Sequence, residues 1–443
     1  MDSRPNVGVL RVLAAVAAWL ITRVLMATLW ATRESFIDHD VRYYYHQLTS
    51  KGLAGALVEY PTPIPAMLEA IRNLLAADEG SFVLVFVLVM ASLDAWTTVW
   101  LWLRVHHWAA AYWTAFIAAI GSLVWFRIDL LPAVAVVLAL GWVHRSPRLA
   151  GAAVAVGAAL KLWPALLIAP MLGRGTMARR RGLGFLVMGG LLGLISLLWF
   201  GIDRSLSPLT WQSDRGLQIE SIPATVVMLK HAFGTPGMYR TELSQYNAWE
   251  IYGPGTDTWQ QVGDVLMVIA ICFTILLCWL IAFNGFGIRN RTTQRSDSPA
   301  VLAARRHAIV LATTAIICAM IVANKTFSPQ YMIWLAGPLA ILVCLPLSGG
   351  DRRWSLVLAG LGLVCAFATH EVFPLNYSGL ISEVAGPDET LLLAVRNGAV
   401  VVLTLLVGWR AVVAGWRLGA LESPPPTGTG PIVAEGNQND CTA

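Results

Sequence analysis

The sequence predicts an all-α protein that crosses a membrane many times, and three observations carry that reading. Of 443 residues, 57% are hydrophobic and only 13% charged, where soluble domains carry about 25% charge. Apolar runs of about 20 residues, the length that spans a bilayer as a helix, recur along most of the chain. The basic residues gather in short clusters between those runs, where charges orient a membrane protein. The net charge of +5 is therefore no nucleic-acid signal.

Spans are expected at about 7–31, 81–103, 108–125, 130–143, 182–201, 263–284, 307–323, 330–347, 354–374 and 390–409. The first run is longer than a signal-peptide core and lacks a small-x-small cleavage site, so it reads as a retained anchor. Five of the six cysteines lie in apolar runs and none in an outer loop. That pattern offers neither a disulfide framework nor a metal site.

The positive-inside rule sets the orientation. Arg104, the clusters at 144–148 and 174–181, Arg289–Arg306, Arg352-Arg353, Arg410 and Arg417 go to the cytoplasm. Every span then alternates except 149–173, which has basic clusters on both flanks. Its middle holds Lys161-Leu-Trp-Pro164. Proline breaks a helix, and broken backbone at membrane depth is tolerated only where it lines a cavity or is buried in protein. The expected solution is a re-entrant pair turning at Lys161, with the lysine aimed into a polar cavity. The result is about ten full spans plus that pair, twelve helices in all, in one domain over 1–421. Both ends are cytoplasmic, and a Pro-, Gly- and Thr-rich tail over 422–443 is expected to be disordered.

The same orientation puts the acidic, aromatic loops outside. The first large loop covers 33–80 and includes an amphipathic piece, Ile64–Leu75. Within it, Asp38 and Asp40 follow span one, and three tyrosines (Tyr43, Tyr44, Tyr45) and Glu59-Tyr60-Pro61 follow them. A carboxylate just above the bilayer, flanked by aromatics, suits a general base toward a sugar hydroxyl. Arg127 and Asp129 join two short spans, and arginine's planar fork fits phosphate. They read equally well as an interfacial ion pair. A lysine at depth, as at Lys161, is costly and usually functional. Arg23 and Asp94 fall at comparable depth in adjacent spans and read as a structural pair.

Two further outer segments mix chemistries. Arg215-Gly-Leu-Gln218-Ile-Glu220-Ser221-Ile-Pro223 places a cation, an amide and an acid before a Ser-x-Pro helix start. Asn324-Lys325-Thr-Phe-Ser328-Pro-Gln330-Tyr331 offers an amide, an ammonium, a hydroxyl and a phenol. His370 marks the outer end of a later span.

Taken in order, the D-x-x-x-Y step (Asp40 to Tyr44), EYPTP, DLLPA, KLWP, RGLQIES-x-PA, NK-x-FSPQY and a T-H-x-x-F-P-like ending resemble the bacterial glycosyltransferase family 87. Its members are polyprenol-phosphate-mannose-dependent mannosyltransferases of the glycosyltransferase-C superfamily. The resemblance covers roughly residues 10–410. It implies a bundle of twelve to thirteen helices with an acid in the first outer loop as catalytic base. Asp40 matches that position by its spacing to Tyr44, with Asp38 in reserve. EYPTP departs from the family's two adjacent prolines, and Arg127-Ile-Asp129 stands where many members carry Gly-Gln-x-Asn.

On this reading a hexose, mannose first, moves from a polyprenyl-phosphate donor to a glycolipid or polysaccharide acceptor of the cell envelope. No cofactor or metal is called for. Arg127, Lys161, Lys325 and Arg215 would hold the donor phosphate. Tyr44, Glu59, Tyr60, Asp129, Gln218, Glu220, Ser221, Ser328, Gln330, Tyr331 and His370 would contact substrate. The rival class is a transporter or flippase for lipid-linked sugars, which also explains buried charges and broken helices.

Overall fold

A computed structural model describes residues 7–173, 175–210, 215–283 and 298–422. Arg174, Asp214, Arg289 and the tail from 423 onward lie outside the described residues. The chain opens with α1 (Val7–Arg33), α2 (His39–Gly55), α3 (Pro63–Leu75), α4 (Glu79–Arg104) and α5 (His107–Ile120). Next come α6 (Leu130–Trp142), α7 (Pro147–Leu160), α8 (Thr176–Thr210) and α9 (Thr225–Phe233). Strands β1 (Arg240–Leu243) and β2 (Trp249–Tyr252) pair antiparallel, with Leu243 opposite Trp249. The remainder is α10 (Thr256–Ala282), α11 (Pro299–Ala323), α12 (Ala336–Cys344), α13 (Gly349–His370), α14 (Tyr377–Leu380) and α15 (Pro387–Glu422).

The protein is all-α in class and built for a membrane. Among the described residues seven helices, α1, α4, α8, α10, α11, α13 and α15, are long and apolar enough to cross one. Their burial separates rim from centre. In α8 none of the apolar window is buried, whereas in α11 78% is, so α8 stands at the rim and α11 in the core.

Two expected spans, 108–125 and 330–347, are shorter than the sequence implies, and 130–143 is as short as expected. α5 has 14 residues, α6 has 13, and α12 has 9 after a 3-10 turn over Pro329–Leu335. A helix of about 14 residues rises only about 21 Å, short of the roughly 30 Å hydrocarbon core. These elements are packed inside protein: Leu130, Ala133, Val137 and Leu140 of α6 are fully buried, as are Leu339 and Ile341 of α12.

α7 stops at Leu160, Lys161 is extended, and a 3-10 stretch runs over Trp163–Met171. The small residues of α7 let it lie directly on α8. A Cβ at Gly151 would strike the Arg181 carbonyl, and one at Gly184 the Arg148 carbonyl. Close contact through small residues is how helices associate where lipid removes the hydrophobic drive.

The two long connections expected outside are more ordered than their composition implies. Residues 39–55 form α2, whose buried side chains Val41, Tyr44 and Leu48 recur at helical spacing. α3 buries Ile64, Leu68 and Ile71 in the same manner. α8 continues past its expected end at 201 through a turn at Gly201 (φ 75°). This carries Arg204 to the carbonyls of Leu57 (3.1 Å) and Tyr60 (3.2 Å), which pins the α2–α3 connection. α9, the hairpin and α14 share their own apolar cluster, including Leu217, Ile219, Met228, Ile251 and Leu380. This cluster caps one end of the bundle.

Candidate active site

Beneath that cap lies a cavity of about 1050 Å³. It is lined by Asp40, Tyr44, Glu59, Tyr60, Arg127, Lys161, Arg215, Gln218, Glu220, Lys325, Ser328, Gln330 and Tyr331. Residues as far apart in sequence as Phe36 and Ile381 thus line one cavity.

Asp40 sits in the first turn of α2. Its Oδ2 is 3.0 Å from Nε of Arg127, and its side chain keeps 25% exposure while that of Arg127 keeps 7%. Arg127 is fixed by donating to the carbonyls of Ile37 (3.1 Å) and Phe126 (3.0 Å), and its guanidinium lies 5.9 Å from the Phe373 ring centre. From above, the β1–β2 turn brings Asn247 to Asp40 Oδ1 at 3.3 Å. Asn247 adopts a left-handed φ of 54°, which asparagine tolerates better than most residues.

Lys161 forms the floor. Its Nζ donates to Asp129 Oδ1 at 2.7 Å, and Trp334 Nε1 donates to the same oxygen at 2.7 Å. Trp163, Trp334 and Tyr331 stack in sequence, with ring centres 4.4 and 4.3 Å apart. The ammonium lies 4.9 Å from the Tyr331 ring and 5.3 Å from that of Trp334. The extended backbone at Lys161 is what turns this side chain out of α7 and into the cavity.

The far wall joins the two mixed segments. Gln218 N–H donates to the Lys325 carbonyl (3.0 Å), and Gln218 Nε2 donates to Ser328 Oγ (2.9 Å). Lys325 Nζ lies 3.3 Å from Asp264, more than two turns into α10. On the near wall, the Tyr43 hydroxyl donates to Glu59 Oε1 at 3.2 Å. Burial pushes the phenols of Tyr43 and Tyr44 up, so both remain neutral donors. Burial likewise pushes the Glu59 carboxyl above the ordinary carboxylate range. Leu162, Leu166, Met267 and Met320 give the cavity an apolar side between the 3-10 stretch, α10 and α11.

No family model matches the chain, and no curated protein or solved structure is significantly similar to it.

Four expected site residues lie off the cavity wall. Asp38 turns away and pairs with Arg42 at 2.8 Å, one helical turn on. That pair, extended to Glu79 at 2.9 Å, ties α2 to α4. Asp129 is buried behind Lys161 as its anchor, and Arg127 pairs with Asp40 in its place. The short Arg127-Ile-Asp129 spacing therefore splits between two partners: Arg127 is extended, and Asp129 precedes the first turn of α6. Ser221 is fully buried, its Oγ accepting from the Ala224 N–H (3.2 Å) in the turn before α9. His370 packs against Gly121 and bonds Glu34 at 2.7 Å, and Ser122 completes that buried set.

Several site residues were not anticipated. Arg396, in the apolar run of α15, pairs with Glu220 at 3.1 Å and lies 4.5 Å from the Phe327 ring. Asn397 donates to the carbonyls of Glu220 and Ser221, each at 3.3 Å. Burial raises the Glu220 carboxyl against the pull of Arg396. An arginine in mid-span was the available signal. Asn247 and Asp264 carried no such signal, since an asparagine in a polar loop and an acid at a span edge are ordinary.

Proposed function

We propose that the protein is an integral-membrane, inverting glycosyltransferase that uses a polyprenyl-phosphate sugar, with mannose the leading choice. The single observation that carries this is the cavity itself. Four carboxylates, Asp40, Glu59, Glu220 and Asp264, and four cations, Arg127, Lys161, Arg215 and Lys325, line the same space beneath the cap, and Asp40 is the one paired with Arg127. An apolar flank of Leu162, Leu166, Met267 and Met320 lies beside them. That set suits a substrate with an anionic phosphate, a hydroxylated sugar and a hydrocarbon tail.

The acceptor hydroxyl oxygen attacks the anomeric carbon, and its proton passes to Asp40. The bond from that carbon to the phosphate oxygen breaks, and polyprenyl phosphate leaves with the electron pair. The cations stabilise the charge that develops on it, an electrostatic term that often dominates catalysis. In the free protein Arg127 pairs with Asp40 and aims its carboxylate. Incoming phosphate competes for that guanidinium and loosens the carboxylate as the acceptor arrives. One displacement inverts the centre, so a β-linked donor gives an α product. The charge asymmetry of the connections supports an extracytoplasmic site in the cell membrane, where the acceptor would be a glycolipid or polysaccharide of the envelope.

The test uses purified full-length protein in detergent, labelled polyprenyl-phosphate-mannose and an envelope lipid extract. Labelled glycolipid is expected although no membrane separates two compartments. Protein that binds the donor yet never transfers label would favour a transporter.

A further inference from the structure

At the opposite end of the bundle a smaller cleft of about 260 Å³ collects positive charge. From Ala323, on the large cavity, to Arg306 on this cleft, α11 descends about 26 Å. Arg306, His307, Arg410 and Arg417 line the cleft, with Asp351 its acid among the described residues. Asp351 is already engaged by Arg410 and, at 3.2 Å, by Arg417. Arg306 is half-buried and lines the cleft beside Arg410 and Arg417. Among the described residues, three guanidinium groups line the cleft against one carboxylate, an excess of two positive charges.

The surroundings fix the depth. Trp354 and Trp409 meet edge to face at 5.2 Å, and the Arg410 guanidinium lies 5.4 Å from the Trp409 ring. Trp409 and Trp416 are 50% and 67% exposed. Tryptophans presented outward on a spanning helix mark the head-group level of a bilayer. Leu345, Pro346, Ala414 and Leu421 form the apolar part of the lining, and Leu421 opens outward at 50% exposure. At about 260 Å³ the cleft falls below the roughly 300–1,000 Å³ of pockets that enclose whole small molecules. It fits a phosphate head group whose hydrocarbon remains outside.

We propose that this cleft binds the phosphate of an anionic membrane lipid. Arg306 and Arg417 grip the phosphate oxygens, and the acyl chains leave past Ala414 and Leu421. Guanidinium suits this role because its planar fork meets two phosphate oxygens at once. The site stands whether or not the large cavity transfers sugar, since no residue is shared between them.

The test is a thermal-unfolding titration of the full-length protein in dodecyl maltoside. Dioleoylphosphatidylglycerol is expected to raise the melting temperature saturably, and dioleoylphosphatidylcholine to leave it unchanged. Arg306→Gln removes one phosphate contact and is expected to shift the half-saturating phosphatidylglycerol concentration about fivefold upward, the worth of one arginine near an anionic surface. Ala414→Phe keeps every charge, fills the cleft and is expected to blunt the same response. Wild-type response in both variants would overturn the proposal. Inorganic phosphate protecting as strongly as phosphatidylglycerol would overturn the assignment to lipid.

Discussion

Arg23–Asp94 and Arg127–Asp40 are the same pairing of residue types, yet the two sites differ in how fully their bonds are used. At Asp94 both carboxylate oxygens accept from Arg23 at 2.8 Å, Trp113 Nε1 adds a bond at 2.9 Å, and Arg23 also donates to the Thr114 carbonyl at 2.9 Å. Side-chain exposures are 5% for Arg23 and 0% for Asp94. The pair is closed: both carboxylate oxygens are engaged and the carboxylate is fully buried. Asp40 has one ion-pair contact and one longer bond to Asn247, stands a quarter exposed and faces a cavity. A closed pair holds helices together. An open one leaves a charged oxygen for chemistry.

The largest effect that would break this contrast is at the closed pair. Asp94→Ala leaves Arg23 buried without its counter-charge, a loss of about 3–5 kcal/mol. The variant is expected to lose most of its monodisperse yield in detergent, read by size-exclusion chromatography. An unchanged yield would mean that the closed pair is dispensable.

Lys161 tests the cavity floor. Lys161→Met removes a charge-assisted contact worth about 1.5–3 kcal/mol, which corresponds to a fall of roughly 10- to 100-fold in kcat/KM for the lipid-linked donor. Asp129 keeps its bond from Trp334. The double variant Lys161→Met/Asp129→Asn is therefore expected to recover melting temperature but not activity.

Glu59 supplies a pH signature. Burial raises its carboxyl pKa in the folded state. The folded protein therefore binds this proton more tightly than the unfolded chain. The stability from this group is complete below the ordinary carboxylate value and is lost as pH rises through the raised one. Glu59→Gln still accepts from the Tyr43 hydroxyl but cannot ionise. Its melting temperature is expected to exceed that of wild type at pH 8 and to equal it at pH 4. The smallest effect belongs to the cap. Asn247→Gly suits the positive φ and deletes the bond to Asp40. It is expected to change acceptor KM a few-fold while stability stays within about 0.5 kcal/mol.

What the sequence made readable follows from the physics of each signal. The polytopic helical class was plain, because lipid demands long apolar runs. The break at Lys161 was plain, because charge clusters on both flanks and Pro164 forbid a simple crossing. The Arg23–Asp94 pairing was inferred from depth alone. The helix α2 was missed, since Tyr44 takes an aliphatic residue's place in its buried stripe. Three short elements were read as full spans, because hydropathy does not separate a helix buried in protein from one buried in lipid. The choice of partners at Arg127 and Asp129 depended on contacts more than 30 positions away, which local spacing does not encode.

The most direct measurement is turnover of Asp40→Asn with labelled polyprenyl-phosphate-mannose, beside its melting temperature. The substitution keeps the side chain's shape and removes its basicity. The account predicts a loss of about 100- to 10,000-fold in turnover with a melting temperature close to wild type. Near-normal turnover in a folded Asp40→Asn protein would contradict it.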